Sequence, residues 1–460
     1  MPEQRRRSVV IIGAGPVGCA LATLLRRRGT RVDLFERASA AADAGSGRSF
    51  NLTLTSRGLD RLPGSVRRRI YLRGTVLVKR VIHHRDGAIS TQPYGSASAH
   101  HLLSVPRRVL QNILRDQALA AGARIHYDST CVGVDTARPS AQLRHRDGNS
   151  TWVTGDLLIG CDGSGSAVRR LMTGRHPGDI SASCTTIEHG HTEISMAYGD
   201  ADPTGMHLWP RGDHFLQSQP NRDGTFTTSL FKPLAGDPLR PHFAGMTRQE
   251  EAEAYCAREF PDVYPRMRQV GEDLTSRPPG RLRIVDCAPH HHGRAVLVGD
   301  AAHAVVPFFG QGINCGFEDA GILAGLLDRF GFPACEESGT VVEAVAAEYS
   351  RLRVDQCRAL ADLSMENLQE LSSGVDSSEV LARRALERRL QELHPELCPS
   401  LYQLVAFSDV PYETTRRRHR ESAALLDSLC RGRDLRRDRE TVIDEFVGSF
   451  GGRWRTGAAN

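Results

Sequence analysis

Three glycines near the N-terminus have the spacing GxGxxG and lie between a strand-like run and a helix-like run. Residues 9–12 are all β-branched, Gly13, Gly15 and Gly18 follow them, and residues 19–28 are compatible with a helix. Gly13 would permit a tight turn, Gly15 would let a pyrophosphate approach the backbone, and Gly18 would let the helix pack on the strand. This order predicts a dinucleotide site with its phosphates at the helix N-terminus.

An acidic residue ends the next strand-like segment. Residues 31–36 finish on Glu36, roughly 20 residues after the glycine turn, where a carboxylate accepts hydrogen bonds from a ribose 2'-hydroxyl. NAD and FAD both use this turn. These residues therefore predict a dinucleotide and leave the choice between NAD and FAD open.

Two later segments bear on that choice. Residues 157–169 read as an apolar strand, the turn Asp162-Gly163 and a helix start, and residues 295–319 contain Gly299-Asp300-Ala301-Ala302-His303 followed by Pro307-Phe308-Phe309-Gly310-Gln311-Gly312-Ile313-Asn314. They resemble the DG motif and the GDAAHxxxPxxGQGxNxGxxD signature of the single-component flavoprotein aromatic hydroxylases. The resemblance implies FAD as cofactor, O2 as co-substrate and NADPH as a transient reductant, since a second GxGxxG segment is not found in the sequence.

Each polar residue of these segments also has a structural interpretation. Asp300 could hydrogen-bond a ribityl hydroxyl or cap a helix, and His303 could be functional or a satisfied core histidine. Asp162 could be a turn residue, whereas the resemblance assigns it to the pyrophosphate and the pyridine nucleotide. The helix opened by Gly310 and Gly312 would direct its N-terminal dipole at the flavin.

The resemblance narrows to the kynurenine 3-monooxygenase family and extends from Val9 to about Tyr412. The segments that carry it are Gly47-Arg48-Ser49-Phe50-Asn51-Leu52, Pro93-Tyr94-Gly95, Leu103-Ser104-Val105-Pro106-Arg107, His207-Leu208-Trp209-Pro210-Arg211, Val306-Pro307-Phe308-Phe309-Gly310, Asp362-Leu363-Ser364-Met365-Glu366-Asn367 and Leu401-Tyr402. The resemblance implies hydroxylation of the ring of L-kynurenine, or of a substituted kynurenine, at C3, ortho to the amino group. A related hydroxylase acting on another aromatic or phenolic substrate is the alternative.

Four residues match the positions that hold the amino-acid end of kynurenine in that family: Arg80, Tyr94, Asn367 and Tyr402. A guanidinium can grip a carboxylate with two hydrogen bonds, which phenol and amide groups complete. Taken singly, each residue also has an ordinary structural interpretation: Arg80 as a surface charge, Tyr94 as an aromatic residue in a turn, Asn367 as an exposed helix residue and Tyr402 as a residue at the edge of the core. The ring would lie against Phe231, Phe308, Phe309 and Met365. The helix that carries Met365 and Asn367 could close the pocket, and we name no catalytic base.

The resemblance carries over a set of FAD contacts. They are Gly13, Gly15, Val17, Gly18, Glu36, Arg37, Arg48, Thr53, Arg107, Cys131, Asp162, Asp300, Gly310, Gly312, Ile313 and Asn314. Cys131 would contribute only its backbone.

Two glutamines depart from the family pattern. Gln217 and Gln219 stand where the family has apolar residues that line the ring pocket, and a buried amide without partners costs about 1–3 kcal/mol. Either the pocket takes a substrate with an additional polar substituent, or the alignment slips by one and both glutamines point to solvent.

Composition excludes several classes of protein. The 59 basic and 54 acidic residues leave a net charge of only +5, and all the basic residues except Lys79 and Lys232 are arginines. The arginine runs 416–420 and 431–439 contain no aromatic residues, so we expect solvated helical faces and no nucleic-acid partner. The eleven cysteines form no zinc pattern, and no apolar run approaches the roughly 18 residues of a membrane helix. We expect a cytoplasmic, bacterial-type enzyme, a monomer or homodimer, without metal or membrane anchor.

The predicted fold class is α/β, with a Rossmann-like FAD-binding domain, an antiparallel β-sheet substrate domain and a helical C-terminal part. The FAD-binding domain would comprise residues 1–182, with a β-rich segment 74–95 contributing to the substrate site, and 286–340. Residues 183–285 would form the sheet domain, and 341–460 the helical region. A flavin-dependent halogenase is less suitable, because neither lysine lies in a WxWxIP context.

Overall fold

The structure is a computed structural model that describes residues 7–40, 50–95, 100–197, 201–236, 242–334, 338–372 and 378–454. Its strands are β1 (Ser8–Ile12), β2 (Arg31–Phe35), β3 (Asn51–Leu54), β4 (Thr75–Leu77), β5 (Lys79–His83), β6 (Ile89–Pro93), β7 (Leu102–Pro106), β8 (Arg124–His126), β9 (Ser129–Asp135), β10 (Ser140–His145), β11 (Ser150–Thr154), β12 (Leu157–Gly160), β13 (Ser181–Met196), β14 (Gly205–Pro210), β15 (Phe215–Pro220), β16 (Phe226–Pro233), β17 (Gly280–Ala288), β18 (His291–His292) and β19 (Ala295–Leu297). Its helices are α1 (Pro16–Arg26), α2 (Ser56–Leu59), α3 (Gly64–Tyr71), α4 (Arg107–Ala120), α5 (Ala167–Arg175), α6 (Gln249–Glu259), α7 (Val270–Thr275), α8 (Asp300–His303), α9 (Gly312–Arg329), α10 (Ser338–Ser372), α11 (Ser378–Leu393), α12 (Leu401–Phe407), α13 (Tyr412–Cys430) and α14 (Arg439–Trp454).

A first sheet is built around β1. Within the described residues its strand order is β18-β19-β12-β1-β2-β8, and β1 pairs in parallel with both β2 and β12. Val9 and Ile11 belong to one hydrophobic core and Val10 and Ile12 to another, since successive side chains of a strand point to opposite faces. Both faces of β1 are therefore covered, which explains its uninterrupted apolar sequence.

Helix α1 begins at Pro16 rather than at Cys19, where the sequence pattern places its start. Proline is favourable at the first helical position, because its φ is already helical and the N–H it lacks has no partner within the helix there. The helix packs against α4 and α9. This packing brings the glycine turn next to the segment that follows β19.

A second sheet has the strand order β17-β13-β16-β15-β14-β5-β6 in the described part of the chain. Its pairs are antiparallel except β5 and β14, which run parallel, with Arg80 opposite Met206 and Ile82 opposite Leu208. The β-rich segment before residue 95 thus joins a sheet formed mainly by residues 181–288. This parallel pair is the one departure from the predicted antiparallel sheet.

Part of the segment 183–285 is helical, although the sequence pattern indicated short strands there. Helices α6 and α7 cover the outer face of the second sheet. In α6 the residues Ala252, Tyr255 and Cys256 are buried, at the helical spacing of three and four residues. The single alternating pattern assigned to 183–285 was too coarse to separate these helices from the strands.

The C-terminal part is helical, as predicted, and α11 has the bounds expected from its periodicity. Helix α13 lies along α10 and carries the first arginine run. Arg420 hydrogen-bonds Glu366, and Arg416 pairs with Asp362. These arginines therefore face carboxylates of the neighbouring helix. None of the helices in the described ranges is both long and apolar enough to cross a membrane.

Candidate functional site

The glycine turn has the geometry that the spacing predicts. Gly13 has φ +101°, and a Cβ there would lie 2.5 Å from the Cys161 carbonyl oxygen. A Cβ at Gly18 would collide with the carbonyl oxygen of Gly13, whereas one at Gly15 would meet nothing within 4 Å. Gly13 and Gly18 are therefore required by packing, and Gly15 leaves the space before α1 open.

The first turn of α1 and the end of β2 meet at this open space. The N-cap of α1 is Gly15, which has no side chain that could accept a hydrogen bond. In the described structure the N–H groups of the first turn of α1 therefore lack a side-chain cap and face outward. Glu36 accepts hydrogen bonds from the N–H groups of Ala14 (3.0 Å) and Ala38 (2.9 Å). These bonds fix the carboxylate beside the turn and leave lone pairs on both oxygens.

The segment after β19 holds Asp300 next to the turn. Gly299 adopts φ +63°, and a Cβ there would touch Val17 at 3.4 Å. Asp300 opens the short helix α8, where it is exposed, and its carboxylate interacts electrostatically with Arg107. The cap of α8 is Gly299, so Asp300 itself is not the N-cap.

A buried ion network stabilises this segment from behind. His303 Nε2 lies 2.5 Å from Asp319 Oδ2, and the Gly299 N–H donates to the same oxygen. Arg353 on α10 donates to Asp319 Oδ1 at 2.6 Å. Burial lowers the pKa of His303, but the carboxylate of Asp319 outweighs it and raises that pKa well above its ordinary value. His303 is thus a satisfied core imidazolium that positions the segment containing Asp300.

The loop before α9 presents backbone donors. Gly310 has φ +65°, and a Cβ there would collide with the hydroxyl of Thr53. Helix α9 starts at Gly312, and its first internal hydrogen bond is from Cys315 N to Gln311 O. The N–H groups of Gly312, Ile313 and Asn314 precede that bond and are left for another acceptor.

The amide of Asn314 is fully used by the protein. Its Nδ2 donates to the carbonyl oxygens of Thr53 (2.9 Å) and Gly310 (3.0 Å), and its Oδ1 accepts from Thr55 N (2.9 Å). This side chain therefore joins β3 to the loop. Any contact of Asn314 with a ligand is left to its backbone.

The carboxylate of Asp162 serves the start of α5. It accepts from the hydroxyl of Ser166 and from the N–H groups of Ala167 (2.7 Å) and Val168 (3.2 Å). Cys131 is buried in β9, and burial raises the pKa of its thiol to about 12, in agreement with a backbone-only role. Arg37 is exposed after β2, and Arg48 lies outside the described residues.

These features fit FAD. Val17 of α1 lies beside both Gly299 and Gly316, so the open glycine turn, the first turns of α1 and α9, Glu36 and Asp300 belong to one region, which we call the cleft. The first helix dipole suits a pyrophosphate, and the second suits the anionic edge of a flavin.

A pocket opens between the loop before α9 and the second sheet. Its lining combines residues from β3, β5, β14, β15, the loop before α9, α10 and α12. The lining residues are Thr53, Arg80, Met206, Leu208, Gln217, Pro307, Phe308, Phe309, Gly310, Leu371 and Tyr402.

Three of the four predicted clamp residues lie together, and two of them, Arg80 and Tyr402, line this pocket. The guanidinium carbon of Arg80 lies 4.6 Å from the ring centre of Tyr402 and 5.9 Å from that of Tyr94. The two tyrosine rings stack with 5.2 Å between their centres. Burial raises the pKa of Tyr94 well above its ordinary value, so the phenol remains a neutral donor. The result is one cation with two aromatic groups beside it.

Asn367 does not join this group. It is buried, and its Nδ2 donates to the carbonyl oxygen of Phe308 at 2.8 Å. Met365, on the same helix, packs against the cluster that contains Phe308 and Phe231. Asn367 therefore holds the wall of the pocket in place rather than lining it.

Phenylalanines form that wall. Phe231 stacks on Phe215 with 4.8 Å between ring centres, and Phe308 meets Phe231 at 5.7 Å with its ring tilted by 63°. Phe308 and Phe309 line the pocket directly, while Phe231 supports them from behind. Phe309 also lies 5.7 Å from Tyr402, which links the wall to the clamp.

The two glutamines have different environments, and neither faces solvent as the slipped alignment would require. Gln217 is half-buried and lines the pocket. Gln219 is buried, and its Oε1 accepts a 2.8 Å hydrogen bond from the hydroxyl of Ser104, which itself accepts one from Asn51. Gln219 thus belongs to a polar contact between the second sheet and the paired strands β3 and β7, and not to the pocket.

Sequence reasoning missed four lining residues: Met206, Leu208, Pro307 and Leu371. Alternation along β14 places Met206 and Leu208 on one face, but nothing in the sequence pairs β14 with β5. Pro307 lies inside a quoted motif and was not assigned a role. Leu371 lies one helical turn after Asn367 on α10, so the helix face of Asn367 was a usable signal.

Comparison with known proteins identifies the class of this site. The family described as FAD binding domain matches residues 6–363. The 2-methyl-3-hydroxypyridine-5-carboxylic acid oxygenase, solved in a tetrameric form, has the same fold: the TM-score is 0.64 at 20% identity, over 83% of this chain and 96% of that one. The protein is an FAD-dependent aromatic hydroxylase.

Two curated relatives specify the family. The kynurenine 3-monooxygenase of Stenotrophomonas maltophilia (strain K279a) is 35% identical over 438 residues, which cover 93% of each chain. That of Myxococcus xanthus (strain DK1622) is 34% identical over 429 residues, covering 90% of this chain and 88% of its own. The chain belongs to the kynurenine 3-monooxygenase family, and its activity is that of an FAD-dependent monooxygenase.

Proposed function

We propose that this enzyme hydroxylates the aromatic ring of L-kynurenine, or of a substituted kynurenine, at C3, with NADPH as the reductant. The observation that carries the proposal is the pocket itself, which combines one cation beside two stacked tyrosines with a wall of phenylalanines. An aromatic amino acid has the same division between a charged end and a ring. The names of the curated relatives support the same substrate.

The charged end of the substrate would bind at Arg80. A guanidinium holds a carboxylate through two parallel hydrogen bonds, and the stacked rings of Tyr94 and Tyr402 restrict where the guanidinium can lie. The phenols add donors to the same carboxylate. Asn367 contributes indirectly, through the carbonyl oxygen of Phe308.

Residues around the cleft would hold FAD through backbone groups more than through side chains. Phosphates would lie at Gly13, Gly15 and the start of α1, a ribose at Glu36, and the flavin before Ile313 and Asn314. Bound there, FAD accepts electrons from NADPH and supplies activated oxygen from O2. Val17 and Thr53 would shape the cleft, and Arg107 lies near Asp300.

The protein's own part in the reaction is to orient the ring and exclude water. Hydroxylation ortho to an aromatic amine uses the electron density of the ring itself, so position matters more than an acid or base. Phe308 and Phe309 present an apolar surface to the ring, and Pro307 and Gly310 bring the loop close to it. No catalytic base is assigned.

A second candidate is a related hydroxylation of a different aromatic compound. Gln217 favours it, because an amide in the ring pocket suits a substrate that carries an additional polar group. The clamp at Arg80 still favours a substrate with a carboxylate. Phenols without a carboxylate are therefore the weaker alternative.

The test is NADPH oxidation by the purified enzyme with and without L-kynurenine, together with the mass of the product. We expect kynurenine to accelerate NADPH oxidation and the product to gain one oxygen atom. Arg80→Met should lower kcat/KM by about 100-fold or more, since charge-assisted hydrogen bonds contribute about 1.5–3 kcal/mol each.

Arg85→Met is the matched control. Arg85 follows the same strand, is 67% exposed and pairs with Glu259 at 2.8 Å away from the pocket. Its replacement should leave kcat/KM for kynurenine within about twofold, because Arg85 is not among the residues that line the pocket. An enzyme that ignores kynurenine, or that keeps its kcat/KM in Arg80→Met, would contradict the proposal.

A further inference from the structure

The amide of Gln217 stands in a part of the pocket that is otherwise apolar. It lies directly opposite Leu208 in the strand pair β14–β15, and Phe308 and Leu371 line the same region. In the described part of the chain its amide has no hydrogen-bond partner. The amide of Gln219, by contrast, is bonded to Ser104.

An unpartnered amide beside a ring is unfavourable unless something pairs with it. A half-buried amide that faces an apolar ligand loses its water and gains nothing, at a cost of about 1–3 kcal/mol. Gln217 is half-buried with the pocket open and would be covered once a ligand fills it. The ligand that suits it therefore brings its own hydrogen-bonding group.

The strand order gives the distance from the clamp to this amide. Arg80 lies on β5, Leu208 on β14 and Gln217 on β15, which are successive strands of one sheet. Arg80 is opposite Met206, whereas Gln217 is opposite Leu208, so the two residues are two strand spacings of about 4.8 Å apart across the sheet and two residues of about 3.3 Å apart along it. The distance between their backbone positions is therefore about 12 Å.

An extended kynurenine bound at Arg80 is long enough to bring the far side of its ring towards Gln217. Four bonds of about 1.5 Å join the carboxylate carbon to the ring, so the far ring carbons lie about 8 Å from the carboxylate. These carbons are C3, which is the proposed site of hydroxylation, and C4 and C5. A substituent there would reach the level of Gln217.

The face of the sheet becomes polar beyond Gln217. Ser229 is directly opposite Gln217 in the pair β15–β16, and Glu193 is opposite Ser229 in the pair β13–β16. Residues directly opposite one another share a face of the sheet. Ser229 and Glu193 are both half-buried. On this face, the apolar side chains of Met206 and Leu208 on β14 are thus followed across the sheet by the polar side chains of Gln217, Ser229 and Glu193.

We infer that Gln217 forms a polar subsite that takes a hydrogen-bonding substituent, such as a hydroxyl or an amino group, on C4 or C5 of the kynurenine ring. This inference rests on the proposed function. An amide both donates and accepts, so it serves either substituent.

The test compares ligands of nearly equal size that differ in hydrogen bonding. The kcat/KM for L-kynurenines with a hydroxyl group on C4 or C5 is measured against that for the corresponding methyl compounds, each with product mass. One hydrogen bond makes the hydroxyl compound better by about tenfold at one of the two positions. In Gln217→Leu this ratio falls to one or below.

Gln219→Leu is the matched control, because it removes the neighbouring buried amide on the same strand face without touching the pocket lining. The hydroxyl-to-methyl ratio should persist in that variant. A ratio near one at both positions in the wild-type enzyme, or a ratio that survives in Gln217→Leu, would overturn the inference and leave kynurenine hydroxylation standing. If no kynurenine, substituted or not, accelerates NADPH oxidation, both the inference and the proposed function fail.

Discussion

Lys232 is fully buried beneath the second sheet, although it is one of only two lysines in the chain. Its Nζ lies 3.7 Å from the ring centre of Tyr255 and 3.6 Å from the sulfur of Met246. Burial lowers its pKa to about 7 from an ordinary 10.5, and the opposing effects of Asp213 and Glu259 do not restore it. We expect Lys232→Met to make the protein more stable at neutral pH.

The sign follows from proton linkage. The pKa of Lys232 is lower in the folded than in the unfolded chain, so between pH 7 and 10.5 the folded protein binds fewer protons. The free energy of unfolding therefore rises with pH across this window, and that contribution is lost as the pH falls towards 7. The two pKa values differ by an amount worth about 4–5 kcal/mol, at about 1.4 kcal/mol for each tenfold change in proton affinity.

The contact with the Tyr255 ring offsets up to about 2 kcal/mol of this cost. Lys232→Met should thus raise the free energy of unfolding at pH 7 by about 2–3 kcal/mol, with the gain vanishing near pH 10. Methionine suits the site because it is flexible and of similar length.

The assay is urea denaturation from pH 7 to 10 at a fixed concentration of FAD, because a ligand that binds the folded state adds its own stability. Lys79→Met is the control: Lys79 pairs with Asp202 at 2.6 Å, with both side chains about a third exposed. Its loss should cost at most about 1 kcal/mol and leave the pH slope unchanged. The reasoning is refuted if Lys232→Met is less stable than wild type at pH 7, or if it keeps the wild-type slope.

Two further variants test the cleft and the wall. Glu36→Gln keeps an acceptor oxygen beside Ala14 N but removes the negative charge, so FAD should bind about tenfold more weakly. The affinity is measured from the fluorescence of the released flavin. An unchanged affinity would argue against a ribose at Glu36. Asn367→Ala removes the hydrogen bond to the buried carbonyl oxygen of Phe308, which should lower the free energy of unfolding by about 1–3 kcal/mol in a denaturation experiment. It should also raise KM for kynurenine in steady-state kinetics. An unchanged KM would mean that Asn367 does not position the wall.

The features that could be predicted from the sequence depend on neighbours along the chain. The glycine turn, the strand that ends at Glu36 and helix α11 each follow from spacing within one segment, and the structure has all three. The start of α1 was misplaced because Pro16 was read as part of the turn, although proline favours the first helical position. Rules that use only neighbouring residues were therefore sufficient to predict these elements, and the preference of proline for the first helical position would also have given the start of α1.

The pocket depends instead on which distant segments become neighbours. Met206 and Leu208 line it because β14 pairs with β5, more than 100 residues earlier, and in parallel. Periodicity gives each strand its faces but not its partner. For the same reason Gln217 and Gln219 could be placed on one face, yet only the sheet order shows that one faces the pocket and the other faces Ser104.

Motif residues illustrate a second limit. The side chains of Asp162, Asn314 and Asp319 all lie in segments that resemble flavin motifs, yet each is engaged by the protein's own N–H groups, carbonyl oxygens or cations. Their effect on a cofactor is to fix backbone: Asn314 holds the loop whose N–H groups face outward, and Asp319 holds the Gly299 N–H next to Asp300. A motif therefore predicts where a cofactor lies more reliably than which atoms touch it, because an amide or carboxylate at a tight turn satisfies buried backbone groups before it is free to serve a ligand.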